Sequence, residues 1–332
     1  MNRSDAVCYS EFFGDKLKKY FSEYKWSNIF AMLRNQTLDP KICADDFSSR
    51  LVVITGATSG IGYITAQKFA AHGADLLFIN RNEEKSKELC ESLRSQYNVQ
   101  CIYMIADFTK LAEVHAVAKK LAALDRSIDV LIHNAGVYLT KKTFTIDNLE
   151  MVFQTNYLST FILNYYTKEK FLNQKSGRIL FVNSEAHRFA VWGLHLDDLS
   201  WDKHRYSGLK SYGAAKTAQL LSMIKLKEHF TGTGVTVNAM HPGNVKTNSG
   251  QNNGKLYKIF KRIVVDRTAK PLEISAEALY FLGVSSELNN TSGKFFNITT
   301  EEEPAPPALD RDAAEKLWLL SYELGRFKDE EK

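Results

Sequence analysis

The sequence predicts an α/β fold: one doubly wound parallel sheet of about seven strands, flanked by helices and preceded by an N-terminal helical extension. Three observations carry this prediction. From Leu51 onward, short β-rich runs alternate with longer runs of helical character. A glycine-rich turn from Gly56 to Gly62 directly follows the first apolar run. No linker or internal repeat divides the residues from Leu51 to Ile298, so we expect one sheet with right-handed crossovers.

Each strand and helix of this domain is predicted from a change of pattern along the chain. Short apolar runs predict strands at residues 51–55, 75–79, 100–105, 129–133, 178–183, 235–239 and 294–297. Longer segments predict helices from the glycine turn to about residue 72 and at residues 83–96, 110–124, 147–172, 212–230 and 276–282. The carboxyl ends of parallel strands meet at one edge of such a sheet, and ligands bind there.

Two appendages flank the central domain, which we place at residues 49–300. Residues 1–48 predict two short helices, because the aromatic residues before Ser27 share one helical face and the apolar residues beyond it lie on another. We expect these helices to dock on the domain or on a second subunit. Peripheral contact with a membrane is the alternative, which the lack of a dense Lys/Arg cluster disfavours. Residues 301–332 comprise a proline-containing segment and a helix, predicted at residues 310–324, that packs on the domain.

Composition indicates a globular protein and argues against several functions. Of the 332 residues, 44% are hydrophobic and 24% are charged, which is enough for a sizeable core. The net charge of +5 is too small and too dispersed for a nucleic-acid groove, but it suits an anionic small molecule. Neither an apolar run of membrane-spanning length nor a secretory signal is present, so we expect a cytoplasmic protein, with peripheral membrane association as the alternative.

No metal site and no disulfide framework are predicted. The cysteines show neither a CxxC pair nor ligand spacing; they are Cys8, Cys43, Cys90 and Cys101. Three histidines lie close together at His187, His195 and His204, but they also lack ligand spacing. We therefore interpret these histidines as surface or core residues.

The glycine turn has the context of a dinucleotide fingerprint, because it follows a strand and opens a helix, as in the Rossmann fold. Gly56 permits the tight turn, Gly60 lets the backbone approach a pyrophosphate, and Gly62 lets the helix pack closely on the strand. Free N–H groups at the start of the helix then meet the anion. The other predicted cofactor contacts in this turn are Thr58, Ser59 and Ile61.

The residues after the second and third strands favour NADP(H) over NAD(H). An NAD-binding chain usually presents an acidic side chain to the ribose after the second strand, whereas this chain has Asn80 and Arg81. A guanidinium suits a 2′-phosphate, although Arg81 is alternatively a solvated loop charge. After the third strand, Asp107 and its neighbour Phe108 are placed to contact the adenine, or Asp107 caps the next helix.

A hydride-transfer site is predicted from three further residues. Tyr212 and Lys216 are four positions apart, so on a helix they share one face. A neighbouring ammonium stabilises a phenolate and lowers the pKa of the phenol from its usual value of about 10, which suits a proton donor at neutral pH. Ser184 ends an apolar run that predicts a buried strand, and it therefore lies at the ligand-binding edge. The alternative for Tyr212 and Lys216 is an ordinary exposed helical pair.

Together these residues resemble the short-chain dehydrogenase/reductase family over roughly residues 47–297. The motifs that carry the resemblance are Thr55-Gly56-Ala57-Thr58-Ser59-Gly60-Ile61-Gly62, His133-Asn134-Ala135-Gly136, Gln154-Thr155-Asn156-Tyr157 and Tyr212-Gly213-Ala214-Ala215-Lys216. The segments His241-Pro242-Gly243-Asn244-Val245-Lys246-Thr247 and Ser292-Gly293-Lys294-Phe295-Phe296 are most similar to the retinol dehydrogenase-like branch. Two departures are Asn183, where many relatives have a second serine, and the N-terminus, which lacks the hydrophobic anchor of membrane-bound relatives.

The resemblance implies a role for each of these residues. Tyr212 would donate a proton to the carbonyl oxygen that Ser184 also binds, and Lys216 would lower the pKa of the phenol and hold the nicotinamide ribose. Asn156 would complete the catalytic tetrad and position a water that links Lys216 to solvent. The other implied cofactor contacts are Asn134, Ala135, Gly136, Pro242, Gly243, Val245 and Thr247.

The sequence thus predicts an NADP(H)-dependent oxidoreductase that interconverts an alcohol and an aldehyde or ketone. Residues 185–208 and 244–272 would form the substrate pocket, and the apolar side chains of the first segment favour a lipophilic substrate. One alternative is a non-catalytic NADP(H)-binding sensor or scaffold of the same fold. A nucleotide-sugar epimerase would need a larger C-terminal domain. The helices predicted at residues 147–172 and 212–230 also allow the homodimer that many family members form.

Overall fold

The computed structural model describes residues 20–245, apart from the side chain of Ile29, and residues 270–327. A single sheet contains all the named strands of these residues: β1 (Leu51–Thr55), β2 (Asp75–Asn80), β3 (Cys101–Ile105), β4 (Val130–His133), β5 (Ser176–Val182), β6 (Gly234–His241), β7 (Phe295–Asn297) and β8 (Thr300–Glu302). Their spatial order is β3-β2-β1-β4-β5-β6-β7-β8. All neighbours are parallel except β7 and β8, which pair antiparallel.

Helices cover both faces of this sheet. The α-helices of the described residues are α1 (Trp26–Asn35), α2 (Gly60–Ala71), α3 (Glu83–Tyr97), α4 (Leu111–Ala122), α5 (Met151–Phe153), α6 (Ser159–Gln174), α7 (Gly208–His229), α8 (Glu273–Val284) and α9 (Arg311–Leu324). One face packs on α4, α6, α7 and α9 through residues such as Val114, Phe161 and Leu221. The other face packs on α2, α3 and α8, with Phe69 and Leu279 in its core. The strand order reverses between β1 and β4, which is where doubly wound sheets bind ligands.

The predicted doubly wound sheet is confirmed, and β8 is the strand that the sequence did not reveal. Asn297 and Thr300 pair across a tight hairpin, in which Ile298 has a positive φ of 58°. Hairpins of this kind usually contain glycine or asparagine at such a position. The segment Ile298-Thr299 lacks that signal, so the sequence predicts no strand in the proline-containing segment that begins at residue 301.

The helix predicted at residues 147–172 is wrong in its first part. Phe144 and Glu150 form an antiparallel bridge, so the chain is not helical before Met151. The carboxylate of Glu150 accepts the backbone N–H groups of Val152 and Phe153 and caps the short helix α5. A π-helical turn, Gln154–Leu158, then separates α5 from α6. Turns of this type occur often at functional sites.

The described part of the N-terminal extension docks on the domain. The hydroxyl of Tyr20 donates to Asp310 at 2.7 Å, and the hydroxyl of Tyr24 donates to the backbone carbonyl of Arg188 at 3.2 Å. Asn35, at the end of α1, donates to Glu302 of β8 at 3.0 Å. Of the helices within residues 20–245 and 270–327, none is both long and apolar enough to cross a membrane.

Candidate active site

The glycine turn joins β1 to α2 at the carboxyl edge of the sheet, and its backbone admits little but glycine. Gly56 has a φ of +70° and Gly60 a φ of +59°, a region that residues with a Cβ rarely adopt. Gly62 is restricted by close approach instead. A Cβ on Gly62 would lie 2.4 Å from the carbonyl oxygen of Gly56 and 2.5 Å from the amide nitrogen of Asn134.

The first turn of α2 carries N–H groups that no capping side chain accepts. Ser59 is the N-cap residue, and its side chain makes no capping hydrogen bond. Such N–H groups and the helix dipole attract anions. Ser59 is exposed and Thr58 half-buried at the mouth of the turn, whereas Ile61 is buried. The residues present therefore fit the phosphate groups of a dinucleotide.

Asn80 supports the glycine turn from the end of β2. Its amide oxygen accepts the backbone N–H of Ala57 at 2.7 Å, and its amide nitrogen donates to Ser86 at 3.0 Å. Both polar ends of the buried Asn80 side chain are thus used inside the protein. The adjacent Arg81 is exposed and forms no ion pair within the described residues. Of the two residues at the end of β2, Arg81 is the one available to a ligand.

Asn134 ties β4 to the other side of the same turn. Its amide nitrogen donates to the carbonyl oxygens of Thr55 at 3.0 Å and Gly56 at 2.8 Å. The hydroxyl oxygen of Thr55 accepts the backbone N–H groups of Asn134 and Ala135, each at 3.0 Å. Gly136 follows, where a Cβ would lie 3.2 Å from the side-chain oxygen of Asn156. These contacts hold the ends of β1 and β4 in one rigid edge.

Asp107 closes a local turn and does not cap α4. One carboxylate oxygen of Asp107 accepts the backbone N–H and the hydroxyl of Thr109, at 3.0 and 2.9 Å. The first N–H of α4, that of Leu111, donates instead to Asp147 at 2.7 Å. Phe108 is buried, and its carbonyl oxygen accepts the side-chain amide of Gln154. Contact of Asp107 and Phe108 with an adenine stays a prediction.

Lys216 lies in the buried interior of α7, with its ammonium at the end of β5. The Nζ atom donates to the carbonyl oxygen of Val182 at 2.7 Å and to the amide oxygen of Gln219 at 3.1 Å. The same atom lies 5.6 Å from the centre of the Tyr212 ring. Burial, without a carboxylate partner, lowers the pKa of Lys216 to about 7. Burial therefore favours the neutral amine at this position more than solvent would.

Tyr212 lies beside this ammonium, and Ser184 follows the strand whose last carbonyl, that of Val182, accepts the ammonium. The half-buried ring of Tyr212 packs edge-on against Tyr138, with 5.5 Å between the ring centres. Ser184 follows β5, and its hydroxyl oxygen accepts the N–H of Ala186 at 3.1 Å. The exposed-pair alternative does not describe this geometry, because Lys216 is buried. The structure thus brings the predicted tyrosine, lysine and serine to one edge.

Asn156 occupies the centre of the π-helical turn and is fully buried. Its side-chain oxygen accepts the N–H of Val137 at 2.7 Å, and its side-chain nitrogen donates to the carbonyl of Val137 at 2.9 Å. The two bonds hold the loop after β4 against the turn. The carbonyl oxygen of Asn156 accepts the side-chain amide of Gln219 at 2.7 Å. Lys216 is thus linked to the carbonyl of Asn156 through the side chain of Gln219.

Gln219 and Asn183 are site residues that the sequence reasoning missed. The side-chain nitrogen of Asn183 donates to the oxygen of Gln219 at 3.0 Å and to the carbonyl of Lys216 at 2.9 Å. Asn183 also accepts the N–H of Ser184 at 2.8 Å. Spacing could have revealed Gln219, because it stands three residues after Lys216 and shares its helical face. Asn183 was treated only as a departure from a family pattern.

The predicted contacts after β6 are only partly described. Gly243 has a φ of +84°, and the carbonyl of Pro242 accepts the hydroxyl of Ser275 at 2.6 Å. Val245 is buried and pairs with Lys270 in an isolated parallel bridge. Thr247 and most of the pocket segment predicted at residues 244–272 lie outside the described residues.

Histidines anchor the segment after Ser184. His187 is buried, accepts the N–H of Ala305 at Nε2, and therefore donates from Nδ1 to the carbonyl of Ser184 at 2.8 Å. Burial lowers the pKa of His187 to about 3. His195 stacks on His204, which pairs with Asp198. No group of three or more metal-binding side chains occurs within residues 20–245 and 270–327.

The seven apolar residues of segment 185–208 that were predicted to line a substrate cavity fall into three groups by burial. Leu194 and Trp201 are buried and belong to the core beneath α7. Phe189 is 56% exposed at the surface. The remaining four lie in the segment that follows Ser184 and are half-buried: Val191, Trp192, Leu196 and Leu199.

A buried charge cluster next to Ser184 was also missed. The guanidinium of Arg188 bonds to the carboxylates of Glu185 and, at 3.0 Å, of Glu302 on β8. All three side chains are at most 10% exposed. Burial raises the pKa of Glu185 to about 7, and the charge of Arg188 opposes the rise. The part of this cluster that Glu302 contributes could not be predicted, because Glu302 is 114 residues from Arg188 along the chain.

Comparison with known proteins places these observations in context. The model of a family described as short chain dehydrogenase matches residues 50–195. Human retinol dehydrogenase 13 is 31% identical over 282 residues, which cover 83% of this chain and 84% of that protein. The WW domain-containing oxidoreductase of Drosophila melanogaster is 31% identical over 84% of this chain and 69% of its own length.

Solved structures agree with the sequence matches. An uncharacterized protein from Mycobacterium paratuberculosis is 26% identical, with a TM-score of 0.68 over 87% of this chain and 98% of that one. A short-chain dehydrogenase from Sphingobium yanoikuyae, solved in complex with NADPH, is also 26% identical. It has a TM-score of 0.55 over 70% of this chain and 83% of its own.

Proposed function

The chain belongs to the short-chain dehydrogenase family, in its retinol dehydrogenase-like branch, and from this premise we propose that it is an NADP(H)-dependent oxidoreductase that interconverts an alcohol and an aldehyde or ketone. The family membership supports an oxidoreductase with a nicotinamide dinucleotide cofactor. The more specific proposal rests on one observation, that the buried ammonium of Lys216 lies beside the ring of Tyr212. A binding protein without turnover has no need of a buried cation at that place, since burial of a charge is costly.

In the proposed mechanism the bound cofactor supplies or accepts a hydride at the carbon of the substrate. Tyr212 gives its phenolic proton to the carbonyl oxygen during reduction and takes it back during oxidation. Lys216 stabilises the phenolate that forms, because an opposite charge favours an ionised group. The hydroxyl of Ser184 donates a hydrogen bond to the same substrate oxygen, which it can do while its oxygen accepts the N–H of Ala186.

The preference for NADP(H) is supported by Arg81. Its guanidinium is exposed at the end of β2 and has no carboxylate partner within the described residues. Asn80, which could otherwise bind a ribose, is held inside by Ala57 and Ser86. The N–H groups at the start of α2 would bind the pyrophosphate. A 2′-phosphate would complete the charge balance of Arg81.

A lipophilic substrate is supported by the half-buried apolar residues that follow Ser184. Val191, Trp192, Leu196 and Leu199 border the segment without being part of the fully buried core. Apolar side chains with few polar groups are typical of sites for lipophilic small molecules.

The homodimer is not part of this proposal, because α9 covers α6 and α7, with Trp318 edge-on to Phe161 at 4.9 Å between ring centres.

Exchange of one hydroxyl tests this proposal. Wild type and Tyr212→Phe are assayed for NADPH oxidation with a panel of lipophilic aldehydes and ketones. We expect the variant to lose at least about 100-fold in kcat/KM, since positioned proton transfer contributes that much or more. Its affinity for NADPH should be nearly unchanged.

The matched control is Tyr280→Phe, which removes a hydroxyl that bonds to the carbonyl of Asp45 on the far side of the domain. This control should keep wild-type turnover. Equal turnover in Tyr212→Phe and wild type would remove Tyr212 as the proton donor. Tight NADPH binding without turnover on any substrate would favour the sensor.

A further inference from the structure

One side chain bridges the two residues through which a proton would leave the site. The amide oxygen of Gln219 accepts a hydrogen bond from the ammonium of Lys216 at 3.1 Å. Its amide nitrogen donates a hydrogen bond to the carbonyl of Asn156 at 2.7 Å. Asn183 donates to the same amide oxygen at 3.0 Å and fixes the orientation of Gln219. Gln219, Asn156, Asn183 and Lys216 are all at most 3% exposed. The bridge is therefore buried and is held by hydrogen bonds at both ends.

We propose that Gln219 is a positioning residue that fixes the charged end of Lys216 and occupies the carbonyl of Asn156 in place of a relay water. This inference rests on the proposed function, because it assigns the route by which the Tyr212–Lys216 pair is reprotonated. A water both donates and accepts and can hand a proton on. A carboxamide does not titrate near neutral pH, so it holds the geometry without carrying a proton.

The proton balance follows from this arrangement. In reduction the O–H bond of Tyr212 breaks and its proton goes to the substrate oxygen, while the C=O π bond opens as the carbonyl carbon takes the hydride that a bound nicotinamide would supply. The phenolate is neutralised by a proton from the Nζ of Lys216, and one proton from solvent restores the pair. With Gln219 on the Asn156 carbonyl, this last proton enters from the side of the half-buried Tyr212 ring.

Other titratable groups near this part of α7 are engaged elsewhere. Glu185 pairs with Arg188, and Glu150 caps α5 and accepts the hydroxyl of Ser211. His187 is held neutral by two backbone groups. The remaining titratable and charged groups on the elements packed against α7 are Tyr157, Tyr165, Tyr166, Lys168, Glu169, Lys170, His241, Arg311, Asp312, Glu315, Lys316, Tyr322 and Glu323. No carboxylate bonds to Lys216, so a charge placed at residue 219 would act on it directly.

Two substitutions of similar size should shift the titration of the pair in opposite directions. Gln219→Glu places a carboxylate beside the ammonium, which favours the fully protonated form of the Tyr212–Lys216 pair. We expect the pKa for loss of the first proton from this pair to rise by about one to three. Gln219→Met removes one acceptor from a buried ammonium, so the first pKa should fall. The value of kcat/KM for alcohol oxidation should rise with pH as the Tyr212–Lys216 pair loses its first proton. A shift in this pKa therefore moves the pH range over which kcat/KM rises.

A second readout does not depend on turnover. Ultraviolet difference titration of each variant against the same variant carrying Tyr212→Phe isolates the ionisation of this phenol. The matched control is Gln174→Glu, because Gln174 also bridges backbone groups, with its amide on the carbonyl of Ile128 at 2.7 Å, but lies at the opposite end of β5. The control should leave both readouts at the wild-type pKa.

A merely structural role for Gln219 would lower stability in both variants and shift the pKa of the pair in neither. Unchanged titration in both folded variants, or shifts in the same direction, would overturn the proposal. If Gln219→Glu does not fold, the wild-type protein provides the test. Its kcat/KM, measured in mixtures of light and heavy water, should depend linearly on the fraction of heavy water, as expected when one proton is transferred. A curved dependence would refute the bridge. Absence of turnover in the wild type would instead refute the proposed function. The ultraviolet difference titration would still test whether Gln219 sets the pKa of the pair.

Discussion

At the scale of single residues, the cost of burying Lys216 determines how the protein responds to pH. A lysine that binds protons less readily in the folded state makes folding less favourable wherever the unfolded chain is protonated. The pKa of Lys216 falls from 10.5 to about 7 on burial. The unfolded state therefore binds more protons between these two values, and stability should rise with pH across this interval. Function and stability are in conflict at this residue.

Lys216→Met should remove that rise. We expect the difference in free energy of unfolding between pH of about 7 and about 10 to shrink by a few kcal/mol, since each unit of pKa shift corresponds to about 1.4 kcal/mol. Turnover should be lost at the same time. Urea denaturation at both pH values measures the change. Lys227→Met, on an exposed face of the same helix, is the control and should keep the wild-type slope; an unaltered slope in Lys216→Met would contradict the assigned cost.

Arg81→Asp should change the preference between the two nicotinamide dinucleotides. A carboxylate at the end of β2 repels a 2′-phosphate and accepts a ribose hydroxyl. We expect the ratio of kcat/KM for NADPH over NADH to fall by at least about tenfold, corresponding to about 1.4 kcal/mol. Lys120→Asp reverses an exposed charge on α4 and controls for the general field. If both variants keep the wild-type ratio, another group recognises the phosphate.

At the scale of elements, repeated patterns were predictable and local exceptions were not. The strands β1 to β7 were predicted because apolar runs and turns mark them directly. The π-helical turn at Asn156 was not predicted, because the contact that its side chain makes there is with Val137, 19 residues away along the chain. The same holds for Gln219 and Asn183. Their residue types are common in helices and strands, and only the fold shows that they meet Lys216.

The turn between β1 and α2 gives a prediction at this scale. Gly62→Ala would place a methyl group against the carbonyl of Gly56 and the amide of Asn134, so the turn must shift. Overpacking of this kind costs about 1–3 kcal/mol, and we expect NADPH affinity to fall with it. Gly232→Ala is the control, because Gly232 has a φ of +82° with open space around it. Fluorescence titration with NADPH and thermal unfolding should show that Gly232→Ala costs stability alone. Full NADPH affinity in Gly62→Ala would show that the turn is not the binding site.

At the scale of the whole molecule, Arg188 joins three regions that are far apart in the chain. Its guanidinium bonds to Glu185 after β5 and to Glu302 on β8, and its carbonyl accepts the hydroxyl of Tyr24 from the N-terminal segment. Asn35 at the end of α1 donates to the same Glu302. The N-terminal segment, the edge of the sheet and the segment that follows Ser184 are thus held by one cluster. The sequence predicted docking of the N-terminal residues but not this means of docking.

Arg188→Met should therefore destabilise the molecule in a pH-dependent way. Two buried carboxylates would lose their cation, and breaking a buried pair costs about 3–5 kcal/mol. The charge of Arg188 now opposes the rise in the pKa of Glu185, so this pKa should rise further in the variant. A folded-state pKa above the unfolded value means that the folded state binds more protons, and stability is lost as pH rises through that interval. The variant should unfold at a higher temperature at pH of about 5 than at pH of about 8.

A second change separates this charge effect from lost packing. Adding Glu302→Gln to Arg188→Met removes one uncompensated carboxylate, so part of the lost stability should return, most clearly at the higher pH. Lys294→Met is the control, because it breaks the exposed pair with the neighbouring Glu301 and should cost no more than about 1 kcal/mol. Limited proteolysis should cut the N-terminal segment faster in Arg188→Met than in the control. If the double variant is no more stable than Arg188→Met at either pH, the guanidinium acts through its size, and the cluster does not join the three regions by charge.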